Sequence, residues 1–227
     1  MSKTVLVIAA HADDEALGCG GTIARHTADG DAVHLVLMAD GVTSRLAADA
    51  EDVSTALVSR DSAADQAHAI LGIRSVQRLG FPDNRMDSLP LIEIIQRLET
   101  IICELEPNII YTHHHGDLNI DHRITHHAVL TACRPVPGNS VCEIYSFEVM
   151  SSTEWATPEA APFMPNHYVD ISKHLNAKFD ALRAYQLEMR DAPHSRSIQN
   201  LTSLACYRGH TVGVPAAEAF MVLRVVR

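Results

Sequence analysis

The chain has no C-x-x-C pair, no excess of basic residues, no apolar run long enough to cross a membrane, and no internal repeat. Each absence excludes something. The five cysteines (Cys19, Cys103, Cys133, Cys142, Cys206) are scattered and odd in number. That argues against a disulfide framework or a structural zinc knot and for reduced thiols. A formal charge of −10 leaves no basic stripe for a phosphate backbone, so no nucleic-acid partner is expected. The N-terminal apolar run is too short for the core of a signal peptide and ends in carboxylates. A cytoplasmic protein with no membrane span is the expectation.

What is present suits an ordinary globular chain. With 227 residues, 47% apolar and 20% charged, it can pack one core, and a single domain over 1–227 accounts for its length. Histidine is abundant, at fourteen, and four of these fall from His113 to His122.

The first half alternates two periods. Apolar runs at 4–10 and 32–39, and shorter extended stretches at 75–81 and 108–114, alternate with helix-length segments at 16–28, 55–71, 90–106 and 121–133. That alternation predicts an α/β fold, a Rossmann-like, mostly parallel sheet with helices on both faces. Residues 140–149 read as a fifth strand and 151–166 as a surface loop. A short strand at 167–172 follows, then a helix over 173–190 capped by Asp170 or Ser172, a helix over 197–208 and a closing strand over 218–226.

Polar clusters sit where the strands end. His11 to Glu15 follow the first strand, Asp40 the second, Asp83 and Arg85 the third, and "HHHGDLNIDH" the fourth. In a parallel sheet these points share one edge, where ligands bind. A histidine and carboxylates facing further histidines suggest a metal constellation, since catalytic zinc takes three protein ligands and keeps one position open. His11 and Asp14, three apart at a strand-to-helix turn, can reach one ion. His122 is a natural third ligand, and Asp121 could orient a ligand histidine. Plainer readings compete. Asp13, Asp14 and Glu15 could simply charge-complement a helix N-terminus, and His113 to His115 could be an exposed loop. A triad of His11, Asp13 and His122 would also fit a non-haem iron oxygenase, although such sites usually lie on β barrels.

The stretch "AAHADDEALGCGG" resembles the opening motif of the PIG-L/LmbE-like family of zinc-dependent N-deacetylases, and "GDLNIDH" resembles their second metal motif. The likeness continues through "LGFPDNR", "STEW", "APHSRS", "YRGHTVG" and "AEAF". It implies removal of an N-acetyl group from an amino sugar, whether free, nucleotide-activated or lipid-linked. By the same resemblance His11, Asp14 and His122 hold one zinc ion per chain and Asp13 is the general base. Two positions depart from the pattern. Ala12 stands where proline is usual, and Asn119 stands where some members carry a histidine. His194 is then the candidate acid–base helper, from its own chain or a neighbour's, and the oligomeric state stays open. Arg196 could position a substrate oxygen through its fork of donors. Asp40, Arg45, Asp83, Arg85 and Asn119 are candidate contacts to sugar hydroxyls. A non-catalytic sugar-binding member would show damage at ligand or base positions, and all four are intact.

Overall fold

The structure, a computed structural model, describes residues 2–41, 50–157 and 161–227, with backbone alone at 50–54 and 56. Among the described residues seven strands form one sheet: β1 (Thr4–Ala9), β2 (Ala32–Ala39), β3 (Ser75–Phe81), β4 (Ile109–His113), β5 (Glu143–Phe147), β6 (His167–Asp170) and β7 (Ala217–Val225). Their spatial order is β3-β2-β1-β4-β5-β7-β6. The first five pair in parallel, and β7 alone runs antiparallel, between β5 and β6. The order turns back between β1 and β4, so the crevice beyond their carboxyl ends is the expected ligand position.

Alternate side chains of the central strands feed two cores. Val5, Val7 and Ala9 face α1 (Asp14–Ala28), α2 (Ala50–Leu71) and α5 (Leu175–Ala184). Leu6 and Ile8 face α3 (Leu91–Leu105) and α4 (Ile120–Ala132). A sheet covered on both faces needs such continuous apolar strands; each fully buried Leu or Ile contributes roughly 1.5–3 kcal/mol. In α3 the buried positions Ile94, Ile95, Leu98, Ile101 and Ile102 fall on one helical stripe, and the helix starts directly after Pro90.

The last helix, α6 (Ile198–Thr211), packs beside β7, with Ser197 capping its start by accepting from the Asn200 N–H at 3.1 Å. The helix expected over 173–190 is shorter than its sequence pattern. It ends at Ala184, and the chain turns at Tyr185, whose carbonyl accepts from the N–H groups of Glu188 and Met189 at 2.9 and 3.2 Å. Asp170 does not cap that helix. Its carboxylate accepts from the N–H and hydroxyl of Ser172 in a local turn.

Helix α1 kinks at Cys19 (φ −145°, ψ 23°). Gly18 and Gly21 permit the close packing there, since a Cβ on Gly18 would lie 2.3 Å from the Phe147 ring and one on Gly21 2.8 Å from Ile171. A buried ion pair takes up backbone groups around the kink. Lys178 Nζ donates to the Leu17 carbonyl at 2.8 Å and to Glu218 at 2.5 Å. Glu218 accepts the N–H groups of Gly21 and Thr22 at 2.9 and 2.7 Å. Among the described residues no helix is long and apolar enough to cross a membrane, and the five cysteines are unpaired.

Candidate metal centre

The loop leaving β1 delivers His11, Asp13 and Asp14 to the sheet's carboxyl edge, and the first turn of α4 delivers Asp121 and His122. All five are buried. Asp14 Oδ2 is the hub. It accepts the His11 N–H at 2.9 Å and lies 3.2 Å from His11 Nδ1 and 3.2 Å from His122 Nε2. Donor atoms of His11, Asp14 and His122 lie within 4.8 Å of one another, a group able to hold a metal ion. His11, Asp83 and Asp121 form a second such group, through the other ring nitrogen: His11 Nε2 is 3.1 Å from Asp83 Oδ1 and 3.2 Å from Asp121 Oδ2.

Around these sit the groups that aim them. Asp121 also accepts the N–H groups of Asn84 at 2.7 Å and Met86 at 3.1 Å. Asp117 lies 3.2 Å from His122 Nδ1 and accepts hydroxyl hydrogen bonds from Ser152 and, at 2.6 Å, from Thr153. A ligand histidine whose second nitrogen meets a carboxylate is fixed in orientation and tautomer. His113, at the end of β4, stacks on His122 with ring centroids 3.9 Å apart, and its Nε2 accepts the Ala10 N–H at 2.8 Å.

Charge in this cluster is unevenly settled. Burial works against a charged His122, but Asp14 and Asp117 outweigh it and raise the ring to about 9. Burial opposes charge on His11 too, and hydrogen bonds to Asp121, Asp14 and Asp83 raise it well above the usual imidazole range. Burial likewise resists ionisation of Asp14, yet His122 and His11 hold its carboxyl well below the ordinary value. Excess carboxylate thus draws positive charge into the centre of the group. Among the described residues, Asp14 Oδ1 is buried and has no hydrogen-bond partner. Two imidazoles, a carboxylate with a spare oxygen and a demand for cationic charge suit a divalent metal.

Asp13 stands apart from both metal-capable groups. It occupies a left-handed backbone conformation (φ 117°, ψ −29°), and its Oδ2 accepts from Arg196 Nη1 at 2.8 Å. Burial raises its carboxyl to about 6, against the pull of Arg196. An iron triad of His11, Asp13 and His122 is therefore not the arrangement found, since Asp14 joins the two histidines. Arg60, from α2, donates to the Ala12 carbonyl at 2.8 Å and pairs with Glu188, bracing the turn at Ala12.

A small cavity of about 70 Å³ opens on this centre. Its walls include His11, Asp13, His122, Arg196, Asp83 and Asn119, all anticipated from the sequence, and Arg60, Asn84, Ser151 and Ser152, which were not. Asn119 serves as the cap of α4, accepting the Asp121 N–H at 2.8 Å and donating to Asn84 at 3.0 Å. Of the other candidates, Asp40 follows β2, where its N–H donates to the Phe81 carbonyl, and Arg85 is exposed before a short 3₁₀ turn at Met86–Ser88. Neither lines the cavity. Arg45 lies outside the described residues. His194 is not in the cavity wall either. Its ring packs edge-on against Trp155 at 5.8 Å, and its Nδ1 accepts the Arg196 N–H at 3.0 Å.

Ser152 has a sequence signal, as the first residue of "STEW", whereas Ser151 lies just before that motif. Arg60 had none, because a lone arginine in a helix carries no local pattern.

The PIG-L family (GlcNAc-PI de-N-acetylase) matches residues 6–133. A relative in Escherichia coli K12, the uncharacterized deacetylase YaiS, is 29% identical over 190 residues, covering 81% of this chain and 91% of that one. The diacetylchitobiose deacetylase of Thermococcus kodakarensis is 27% identical over 226 residues, 95% of this chain and 81% of its own. The solved N,N'-diacetylchitobiose deacetylase of Pyrococcus horikoshii shares the fold at a TM-score of 0.79 and 22% identity, over 98% of this chain and 84% of that one.

Proposed function

The chain belongs to the PIG-L (GlcNAc-PI de-N-acetylase) family, and from that premise we propose that it is a zinc-dependent hydrolase removing the N-acetyl group from an N-acetylated amino sugar. The observation that carries this reading is the Asp14 carboxylate, whose Oδ2 lies 3.2 Å from a ring nitrogen of each of two histidines while its buried Oδ1 has no partner among the described residues, beside a carboxyl raised to about 6. Relatives with this sequence pattern include a diacetylchitobiose deacetylase.

His11, Asp14 and His122 would hold one zinc ion per chain, with Asp121 and Asp117 orienting the two imidazoles through their second nitrogens. Zinc in such a set polarises an amide carbonyl and brings the pKa of a water to about 7. The chain supplies the rest. Asp13 accepts the proton of the attacking water, which suits a carboxyl held near the working pH. Arg196 keeps that carboxylate turned into the cavity. The same Asp13 then returns the proton to the departing amine, so the base of the first half of the reaction is the acid of the second. His194 braces Trp155 and the Arg196 backbone, which favours a supporting role over the acid–base role that the sequence suggests. Arg196, Asn119, Asp83 and Ser151 are the cavity groups able to meet sugar oxygens.

The test is steady-state kinetics with metal analysis, screening N-acetylated sugars and nucleotide sugars for amine release. Wild-type protein should carry close to one zinc per chain, and Asp14→Ala should lose metal and activity together. Asp13→Asn should keep the metal while kcat falls about 10²–10⁴-fold, with KM little changed. Full metal occupancy in Asp14→Ala, or normal turnover in Asp13→Asn, would sink the reading.

A further inference from the structure

We propose that Glu15, Tyr185 and His68 form a positioning device that holds Asp13 in its working conformation, an inference that rests on the reading of Asp13 as the base. Asp13 is a non-glycine residue at φ 117°. Such backbone is strained for a residue with a side chain and persists only where its surroundings over-determine it. Three contacts do so here. The Asp13 carbonyl accepts the Leu17 N–H at 2.9 Å, its carboxylate meets Arg196, and its own N–H donates to Glu15 Oε2 at 3.1 Å.

The third contact is the informative one. Glu15 is fully buried, and a buried carboxylate needs donors of its own. The Tyr185 hydroxyl donates to Glu15 Oε1 at 2.7 Å, and His68 Nε2 lies 3.4 Å from the same oxygen and 3.3 Å from the hydroxyl. Tyr185 and His68 are buried as well. The turn after α5 and the last part of α2 are thereby tied to the backbone of one residue beside β1. None of the three lines the cavity, so none can touch a substrate there. They act through Asp13, whose backbone angles decide where its carboxylate points.

This differs from simple charge complementarity at a helix start. A capping carboxylate stabilises the fold and nothing more. A positioning group also changes turnover, and only while the group it positions is at work. That distinction is measurable by a double-mutant cycle. Tyr185→Phe keeps the ring and removes the donor. It should lower kcat by about 10- to 10²-fold, the scale of a small misplacement of a catalytic group, with KM and metal content unchanged. Glu15→Gln, which retains an oxygen for the Asp13 N–H, should lose less than Glu15→Ala. In an Asp13→Asn background the Tyr185→Phe change should shift the residual rate by less than about twofold, because coupled residues are non-additive.

A second readout needs no activity. Exchange of the Asp13 amide proton, followed by NMR on the chelator-treated chain, should be slow in wild type and at least about tenfold faster in Tyr185→Phe. Failure to turn over any N-acetyl sugar would overturn the proposed function while this exchange measurement still judges the device. Wild-type kcat in Tyr185→Phe, an equal loss in both Asp13 backgrounds, or unchanged exchange would each overturn the device. Should Glu15→Ala fail to fold, Tyr185→Phe and Glu15→Gln carry the comparison alone.

Discussion

Helix α1 touches two clusters of buried charge, one at its first turn and one around its kink, and they are built on opposite plans. Around the kink, the Lys178–Glu218 pair is closed. Both Glu218 oxygens accept hydrogen bonds, and the ammonium has a carbonyl and a carboxylate. Before the kink, the His11–Asp14–His122 group is open, with Asp14 Oδ1 unpartnered and Asp13 held close to its titration point. Both clusters are buried in the same chain, so desolvation does not distinguish them. Satisfaction does. A closed cluster fixes structure, whereas a buried group left short of partners asks for something to be added.

The largest effect should come from breaking the closed cluster. Lys178→Met leaves Glu218 charged, buried and short of a cation, a change that costs about 3–5 kcal/mol. Adding Glu218→Gln removes the stranded charge and should recover part of that loss. Denaturant unfolding of the single and double variants measures both steps. Equal stability of Lys178→Met and wild type would show that the pair is solvated in solution, and the contrast between the two clusters would collapse.

Much of this contrast was hidden in the sequence. The apolar runs of β1 and β2, alternating with helix-length segments, read as strands of a buried parallel sheet. His11, Asp14 and His122 were legible because polar groups at strand ends converge by topology alone. Pairings across the chain were not. Arg196 carried a recognisable fork of donors, yet its partner Asp13 lies 183 positions away. Glu188 and Tyr185 sat inside a helical pattern that runs to Arg190, and the helix stops at Ala184 because those side chains turn toward Arg60 and Glu15. Glu218 looked like one polar residue in a closing strand, and only the kink at Cys19 explains why a carboxylate is buried there. Local pattern finds elements and edges, while tertiary contacts decide which buried charges close on each other.

A middle-sized effect should separate function from stability at the open cluster. The Asp13 carboxyl sits at about 6 in the fold, against 3.8 for the free group. The folded state therefore keeps a proton that the unfolded chain has already released, and stability falls as pH rises from about 4 to 6. The attraction of Arg196 is included in that balance. In chelator-treated protein at pH 7 to 8, Asp13→Asn should thus be more stable than wild type, by up to about 3 kcal/mol. The gain should vanish near pH 4. An inactive variant with a higher melting temperature is the expected signature of a strained site. A lower melting temperature across the whole range would mean that the Arg196 pair stabilises the fold and that the site stores no strain at Asp13.

The smallest effect belongs to a histidine that stands behind the open cluster. His126, on α4, lies with its Nδ1 2.8 Å from the His113 carbonyl. Burial lowers its ring to about 4. The His113 carbonyl works against that shift, while His115, His127 and His114 reinforce it. An unfolded histidine gains its proton near 6.5, so between about 6.5 and 4 the unfolded chain binds a proton that the folded chain refuses. The sign is fixed by that order: stability contributed by neutral His126 is present above about 6.5 and lost as pH falls toward 4. From pH 7 to pH 5 the loss amounts to about 2 kcal/mol for this group. His126→Gln offers the same carbonyl a donor that does not titrate, so its stability should depend less on pH over this interval. Urea unfolding at pH 7, 6 and 5, on chelator-treated wild type and variant, makes the measurement. Parallel pH profiles would mean that His126 is solvated enough to protonate in the fold, and that α4 carries no acid-sensitive contact behind the His11–Asp14–His122 group.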